Sequence, residues 1–461
     1  MSSTSSALNQ ALEATLESRA KRRILRRLPP PSTPTATTVV DFTSNDYLSL
    51  SISPHLHNHL LTTLSHSEHI LGSGGSRLLV NPVTHHDLEL RLATFFRHTQ
   101  EGTLLFNSGY DANVSFFSTV PQPGDVVVYD EYIHASVHDG LRSGCRAQKR
   151  VSFRNNDTTS LISVLEGLLD ENDKNGLGLR LRNGTSSLFL AVETVYSMDG
   201  TFAPLKAMIQ VLEDLLPCRN GYLIADEAHA TGLYGPQGRG RVALEGLEGH
   251  PRILARLCTF GKALAATGAV ILTTPLVARY MTNYARPLVY TTALSHLAII
   301  AASCSFDMLE DGTAEALAER VLGMSRWFSK QLREQLREEN IGTEFLRVGI
   351  EEFDKEEPER SSLHFHSPII PLLTPPPPSL TENKSYSPAH DLSSHLLTKY
   401  RIHARPITWP TVPKGQDRVR ICLHAGHTEE QVAALVEGVV EWGKMRARAV
   451  QEGRVMVRNR L

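Results

Sequence analysis

Residues 222–232, YLIADEAHATG, form a short apolar run that stops at Asp226, Glu227 and His229, and a glycine-rich turn, LYGPQGRG, follows. A run of this length between polar neighbours predicts a buried strand. In an α/β sheet, an acid at the carboxyl end of such a strand faces the crevice where ligands bind. A second apolar run, Ile253 to Phe260, leads into TFGKALAATGA and its single lysine, Lys262, seated between Gly261 and Ala263. A lysine crowded by small residues loses hydration, which favours its neutral amine and suits it to form a Schiff base with an aldehyde.

A lysine for an aldehyde and a carboxylate for a pyridinium nitrogen are the two protein groups that pyridoxal phosphate chemistry needs. Strands alternate with helices from about residue 104 to 275, which predicts a mainly parallel sheet covered on both faces. In LLFNSGYDANV an apolar strand meets Ser108, Gly109 and Tyr110 just before a helix, so free N–H groups there suit a phosphate. His134, in DEYIHAS, sits at a strand-to-helix boundary where an imidazole could stack on a planar ring. SLFLAVE ends at Glu193 and is followed by YSMDG, which contains Ser197. LGSGGSR at 71–77 either offers backbone N–H groups to an anion or turns the chain.

Near the C-terminus, Arg405, Arg418 and Arg420 are candidates for a carboxylate fork, and Arg420 alternates with Val419 and Ile421 as a strand residue facing a pocket. At the other end, leucines at 8, 12 and 16 continue through Ala20 and Ile24 to Leu28, predicting an amphipathic helix over 7–28. Its basic half resembles a mitochondrial leader, but Glu13 and Glu17 favour an arm packed on the body or on a partner subunit.

A net charge of −2 excludes a global field that would recruit nucleic acid or an anionic membrane. No apolar run approaches the roughly 18–20 residues of a membrane span, and no signal-peptide core appears. Five scattered cysteines without a C-x-x-C pair read as reduced thiols, neither a disulfide frame nor a metal site. These features imply an intracellular protein, cytoplasmic or, from the variant address Asn459-Arg460-Leu461, peroxisomal.

In chain order, SNDYLSLS, LGSGGSR, NSGYDAN, HAS, YSMDG, DEAHATG and TFGKALAATGA resemble the motifs of the α-oxoamine synthases, over about residues 40 to 445. The resemblance implies an aspartate aminotransferase-like fold (fold type I), pyridoxal 5'-phosphate as cofactor, and a homodimer with shared sites. It implies decarboxylative condensation of an amino acid with an acyl-CoA, most like the branch that joins L-alanine to pimeloyl-CoA in biotin synthesis. Lys262 would bind the cofactor aldehyde and work as acid and base, Asp226 would keep the pyridine nitrogen protonated, and His134 would stack on the ring. His229 would bond the phenolic oxygen, Ser108, Gly109, Tyr110 and Thr259 would surround the phosphate, and Ser197 would line the pocket. Thr291 and Thr292 would reach the neighbouring subunit's phosphate. On the substrate side stand Asn45, Arg405 and Arg420, with Arg26 or its neighbour on the arm, Arg22, for a carboxylate at the end of the acyl chain.

The chain departs from the family at Ala263 and Val80, where glycine is usual, and in the spelling ITWPTVP near Arg405. The expected organisation is an N-terminal arm (1–40), a large cofactor-binding domain (41–290) and a smaller C-terminal α/β domain (291–461). Charge-rich and proline-rich insertions are expected near 351–360 and 374–390. A different acyl or amino substrate, an aminotransferase, and a non-catalytic partner subunit are the competing readings.

Overall fold

The computed structural model describes residues 6–22, 24–26, 28, 39–170, 176–349, 366–375 and 387–452. The 351–360 insertion, most of 374–390 and the C-terminal tripeptide lie outside these. Residues 388–390 belong to a helix instead of an insertion, because Pro388 opens it at a position where its missing N–H costs nothing.

The strands are β1 (Val40–Asp41), β2 (Thr103–Phe106), β3 (Val126–Asp130), β4 (Lys149–Phe153), β5 (Leu188–Glu193), β6 (Gly221–Asp226), β7 (Ile253–Thr259), β8 (Ala269–Thr273), β9 (Arg347–Val348), β10 (Ile369–Leu373), β11 (Ile402–His403), β12 (Arg405–Ile407) and β13 (Arg418–Cys422). Seven of them form one sheet in the order β2-β8-β7-β6-β5-β3-β4. Every pairing in it is parallel except those of β8, which runs against both neighbours.

Alternate residues supply the two faces of this sheet, so its strands read as nearly unbroken apolar runs. Val126, Val128, Leu190 and Leu223 join one core cluster, while Val127, Phe189, Ala191 and Ile224 join another. The helices before the central strands are α1 (Ala7–Lys21), α2 (Pro54–Ser65) and α3 (Val83–Phe95). Then α4 (Gly109–Thr119) and α5 (Ala135–Ser143) cover one face, and α6 (Thr158–Leu168), α7 (Leu177–Arg182) and α8 (Leu205–Leu215) cover the other. The arrangement is a three-layered α/β architecture with a large mainly parallel sheet and a smaller C-terminal sheet, the organisation that the motif resemblance implies.

The chain continues through α9 (Arg241–Leu244), α10 (Pro275–Tyr284), α11 (Arg286–Tyr290), α12 (His296–Glu310), α13 (Thr313–Glu338), α14 (Pro388–Tyr400) and α15 (Glu429–Gln451). A four-stranded antiparallel sheet, β12-β13-β10-β9, packs with α13, α14 and α15 in a third cluster. Phe42, Tyr47 and Leu48 join that same cluster, and β1 pairs in parallel with β11. Gly200 marks the close approach of the two sheets: at φ +66° it takes a conformation glycine favours, and an added Cβ would meet the Ile369 carbonyl oxygen at 2.1 Å.

Helix α1 is shorter than its leucine spacing predicts, ending at Lys21, and none of its residues is buried by the described part of the chain. Leu8, Leu12 and Leu16 are 67%, 54% and 52% exposed. Among the described residues no helix is long and apolar enough to cross a membrane.

Candidate active site

The carboxyl ends of β5, β6 and β7 converge on one buried group of side chains. Glu193 ends β5 and is in register with Asp226 at the end of β6, while β7 delivers Lys262 through the tight turn that follows Thr259. Burial pushes the Lys262 ammonium down from its ordinary 10.5 to about 8. Asp226 and Glu193 oppose this shift, and Arg420 adds to it.

His229 lies beneath the lysine, with Nε2 2.8 Å from Lys262 Nζ. Its Nδ1 is 2.7 Å from the hydroxyl of Tyr47, a residue with no exposed surface. Burial, with Lys262 and Arg420 nearby, holds the His229 ring well below its usual range, so it is neutral. Burial also keeps Tyr47 a phenol, far above its ordinary value.

Asp226 Oδ2 accepts from Asn113 Nδ2 at 2.8 Å, and Oδ1 accepts from the Ala228 N–H at 2.9 Å. Asn113 is on α4 and is itself held by Ser136 Oγ at 3.0 Å. His134 caps α5: its Nδ1 accepts from the Ser136 N–H at 3.2 Å and lies 2.7 Å from Ser136 Oγ. Burial is the main force lowering its pKa.

At the phosphate end, Ser108 is the N-cap of α4, its Oγ accepting from the Asp111 N–H at 3.1 Å. The backbone N–H groups of Gly109 and Tyr110 therefore stand at the open start of a helix. Gly109 is pressed against Thr259, where an added Cβ would come within 3.3 Å. The Tyr110 side chain turns elsewhere, donating to Asp139 Oδ2 at 2.5 Å. Thr291 and Thr292 are exposed, and Asn107 Nδ2 donates to the Thr292 carbonyl at 2.7 Å.

On the substrate side, Arg420 donates from Nη1 to the Ser197 carbonyl at 2.9 Å. From Nη2 it reaches the Thr43 carbonyl and Asn45 Oδ1, each at 3.2 Å. Its Nε is buried without a partner, a donor still waiting for an acceptor. The other two arginines have different surroundings. Arg418 is consumed by a buried ion pair with Asp199. Arg405 faces Arg420 in register, yet its side chain is exposed because β12 is the edge of its sheet.

A cavity of about 570 Å³ opens beside this group, lined by His134, Ser197, Met198, His138, Arg26 and the 409–413 loop among others. Arg26 is exposed, so it stands where the cavity meets solvent.

These residues fit pyridoxal phosphate. The open helix start suits its phosphate, Asp226 its ring nitrogen, the His134 imidazole its ring, and the neutral-leaning lysine its aldehyde. Glu193 is a further buried acid, and sequence reading gave it no part. Its Oε2 accepts from the Ser197 N–H at 3.2 Å, while Oε1 has neither partner nor solvent, and burial with Asp226 alongside pushes its pKa well up. Tyr47 and Asn113 were also missed. Both lie inside motifs already singled out, but neither has a local pattern that marks it.

A family model for aminotransferase class I and II matches residues 37–439. The chain is 39% identical to 8-amino-7-oxononanoate synthase of Emericella nidulans, over 87% of this chain and 89% of that protein. It is 36% identical to aminoacyl transferase sphA of Aspergillus fumigatus, over 86% and 79%. Among solved structures, serine palmitoyltransferase from S. paucimobilis superposes with a TM-score of 0.73 at 23% identity, over 96% of this chain and 100% of that one.

Proposed function

Because this chain belongs to the aminotransferase class I and II family, as an α-oxoamine synthase dependent on pyridoxal phosphate, we propose that it condenses L-alanine with pimeloyl-CoA to give 8-amino-7-oxononanoate, a step of biotin synthesis. The observation that carries this reading is Arg26. It places a cation at the solvent end of a cavity that begins at His134 and Ser197, where the far carboxylate of a dicarboxylic acyl chain would lie.

The cofactor supplies an aldehyde for the amino group and an electron sink for the α-carbon. Asp226, fixed by Asn113, would keep a proton on the ring nitrogen, and His134 would pack against the ring. Arg420 takes the amino-acid carboxylate through its unpaired Nε. Lys262 Nζ removes the α-proton as the neutral amine, a form that burial makes more accessible by bringing its pKa down to about 8. The deprotonated α-carbon attacks the thioester carbonyl, coenzyme A leaves as the thiolate and takes a proton from solvent, and the resulting β-keto acid loses carbon dioxide. Lys262 then returns a proton to the α-carbon.

The active unit is a homodimer. In support, Leu71, Leu79 and Tyr290 are exposed at 76%, 82% and 71%, and the 71–75 turn is bonded to the segment just after Thr291 and Thr292.

A second reading is serine or glycine with a long uncharged acyl chain. It is favoured by the apolar part of the cavity lining, Ile133, Met198, Trp409, Pro410 and Val412. Thiol release separates the two. Purified holoenzyme is offered L-alanine, glycine or serine with pimeloyl-CoA or palmitoyl-CoA, with Lys262→Ala as the blank. Release with alanine and pimeloyl-CoA alone supports the first reading, and release with palmitoyl-CoA moves the assignment to the second.

A further inference from the structure

Five side chains form an unbroken hydrogen-bonded line from the substrate arginine to the lysine. Arg420 Nη2 donates to Asn45 Oδ1 at 3.2 Å, and the Tyr47 hydroxyl is 3.2 Å from the same oxygen. That hydroxyl is 2.7 Å from His229 Nδ1, and His229 Nε2 is 2.8 Å from Lys262 Nζ. We propose that Tyr47 is a positioning residue whose hydroxyl, set between Asn45 and His229, fixes which ring nitrogen of His229 carries its proton and thereby whether Lys262 can act as a base. The inference rests on the assignment of Lys262 and Arg420 made above.

The chemistry allows two arrangements. A neutral imidazole has one N–H and a phenol one O–H. In the first arrangement Tyr47 donates to Asn45 Oδ1 and His229 Nδ1–H donates to Tyr47, so Nε2 accepts an N–H from Lys262. A neutral amine held this way keeps its lone pair free for the α-proton. In the second, Tyr47 donates to Nδ1 and the ring proton sits on Nε2, pointing at Lys262. An ammonium has no lone pair to meet it, and a neutral amine meets it with the very pair that catalysis requires.

The direction of the line therefore follows the charge of Lys262. It also answers to Arg420, because Asn45 Oδ1 is shared. A substrate carboxylate taken at Arg420 Nε shares the guanidinium's charge with a further acceptor and weakens its hold on this oxygen, which leaves it a better acceptor for Tyr47 and favours the first arrangement. Docking at one end of the line prepares the base at the other. The remaining charged or titratable groups facing the line are Asp226, Glu193 and Cys422 at Lys262, His134 at His229, and Tyr234 at Tyr47. None of them bridges a link of the line.

The test reads the cofactor-free protein. Only the neutral amine attacks an aldehyde, so the rate at which the visible band develops after mixing with pyridoxal phosphate, measured against pH, titrates Lys262. Tyr47→Phe keeps the ring and removes the hydroxyl. An imidazole lone pair without a donor is cheaper to bury than an N–H without an acceptor, so the proton moves to Nε2. The midpoint should fall by about one pH unit and the plateau rate about tenfold, the size of one ordinary hydrogen bond.

Asn45→Ala reaches the same arrangement by leaving the hydroxyl only Nδ1 to bond. It should shift the midpoint the same way without touching the buried aromatic core, and it decides the matter if Tyr47→Phe does not fold. A midpoint that stays in place or rises in the folded variants overturns the proposal and leaves Tyr47 a packing residue. A wild-type protein that develops no band overturns the assignment of Lys262, and the relay with it.

Discussion

Lys262 Nζ and His229 Nε2 lie 2.8 Å apart in a buried site, where the imidazole is neutral and the amine is pushed down to about 8. The lysine is thus held partly desolvated by the fold, and its charge is a cost to the cofactor-free protein.

That cost has a sign that can be measured. Between pH 8 and 10.5 the unfolded chain keeps the Lys262 proton while the folded chain releases it, so stability from this group rises with pH across that window. The penalty is present in full below about pH 8. Cofactor-free Lys262→Met, although inactive, should be more stable than wild type at pH 7 by about 1–3 kcal/mol. The gap should narrow as pH climbs toward 10. Denaturant unfolding at the two pH values checks this, and a less stable variant at pH 7 would show that the lysine is not desolvated.

Arg420 and Arg405 face one another across two strands and should behave oppositely on substitution. Arg420→Ala removes a buried donor set and should lower kcat/KM for the amino acid by about 100-fold or more, corresponding to loss of a charge-assisted contact of about 3 kcal/mol. Arg405→Ala, at an exposed sheet edge, should leave it within about twofold. Equal losses from the two would mean that the carboxylate bridges both arginines.

Asn113 donates to Asp226, the acid proposed for the cofactor nitrogen, so its effect should appear in cofactor affinity as well as in stability. Asn113→Ala leaves a buried carboxylate oxygen short of a donor, at a cost of about 1–3 kcal/mol in thermal or denaturant unfolding. Fluorescence titration of the cofactor-free variant should show weaker binding of pyridoxal phosphate. An unchanged affinity would mean that Asp226 is held by the backbone alone.

Arg26 stands at the solvent end of the cavity, where a single charge contact is modest. Arg26→Gln should raise KM for pimeloyl-CoA by a few-fold to about tenfold while leaving KM for octanoyl-CoA unchanged. A matching rise for the uncharged chain would assign the arm a role in shaping the cavity, with no part in reading charge.

Much of the site was legible in the sequence because its chemistry stands at strand ends. Apolar runs stop where the sheet stops, so Asp226 and Lys262 announce themselves by where hydrophobicity ends. Ser108 and Gly109 are readable for the same reason, since a helix start after a strand has a local signature. Local spacing gave the wrong length for α1, whose leucine step runs past the residue where the helix stops.

What the chain alone determined is the set of groups and the elements that carry them: a lysine, an acid, two histidines and a capped helix start on a sheet buried on both faces. The tertiary structure decided which of them meet. Tyr47 reaches His229 across 182 positions and Asn113 reaches Asp226 across 113, separations that leave no periodic trace. It also sorted three similar arginines by surroundings: Arg418 neutralised by Asp199, Arg405 left at an edge, Arg420 buried with an open donor. Identity and spacing are local, whereas burial and partnership belong to the packed whole, and an arginine's partners are fixed only when the sheets close over it.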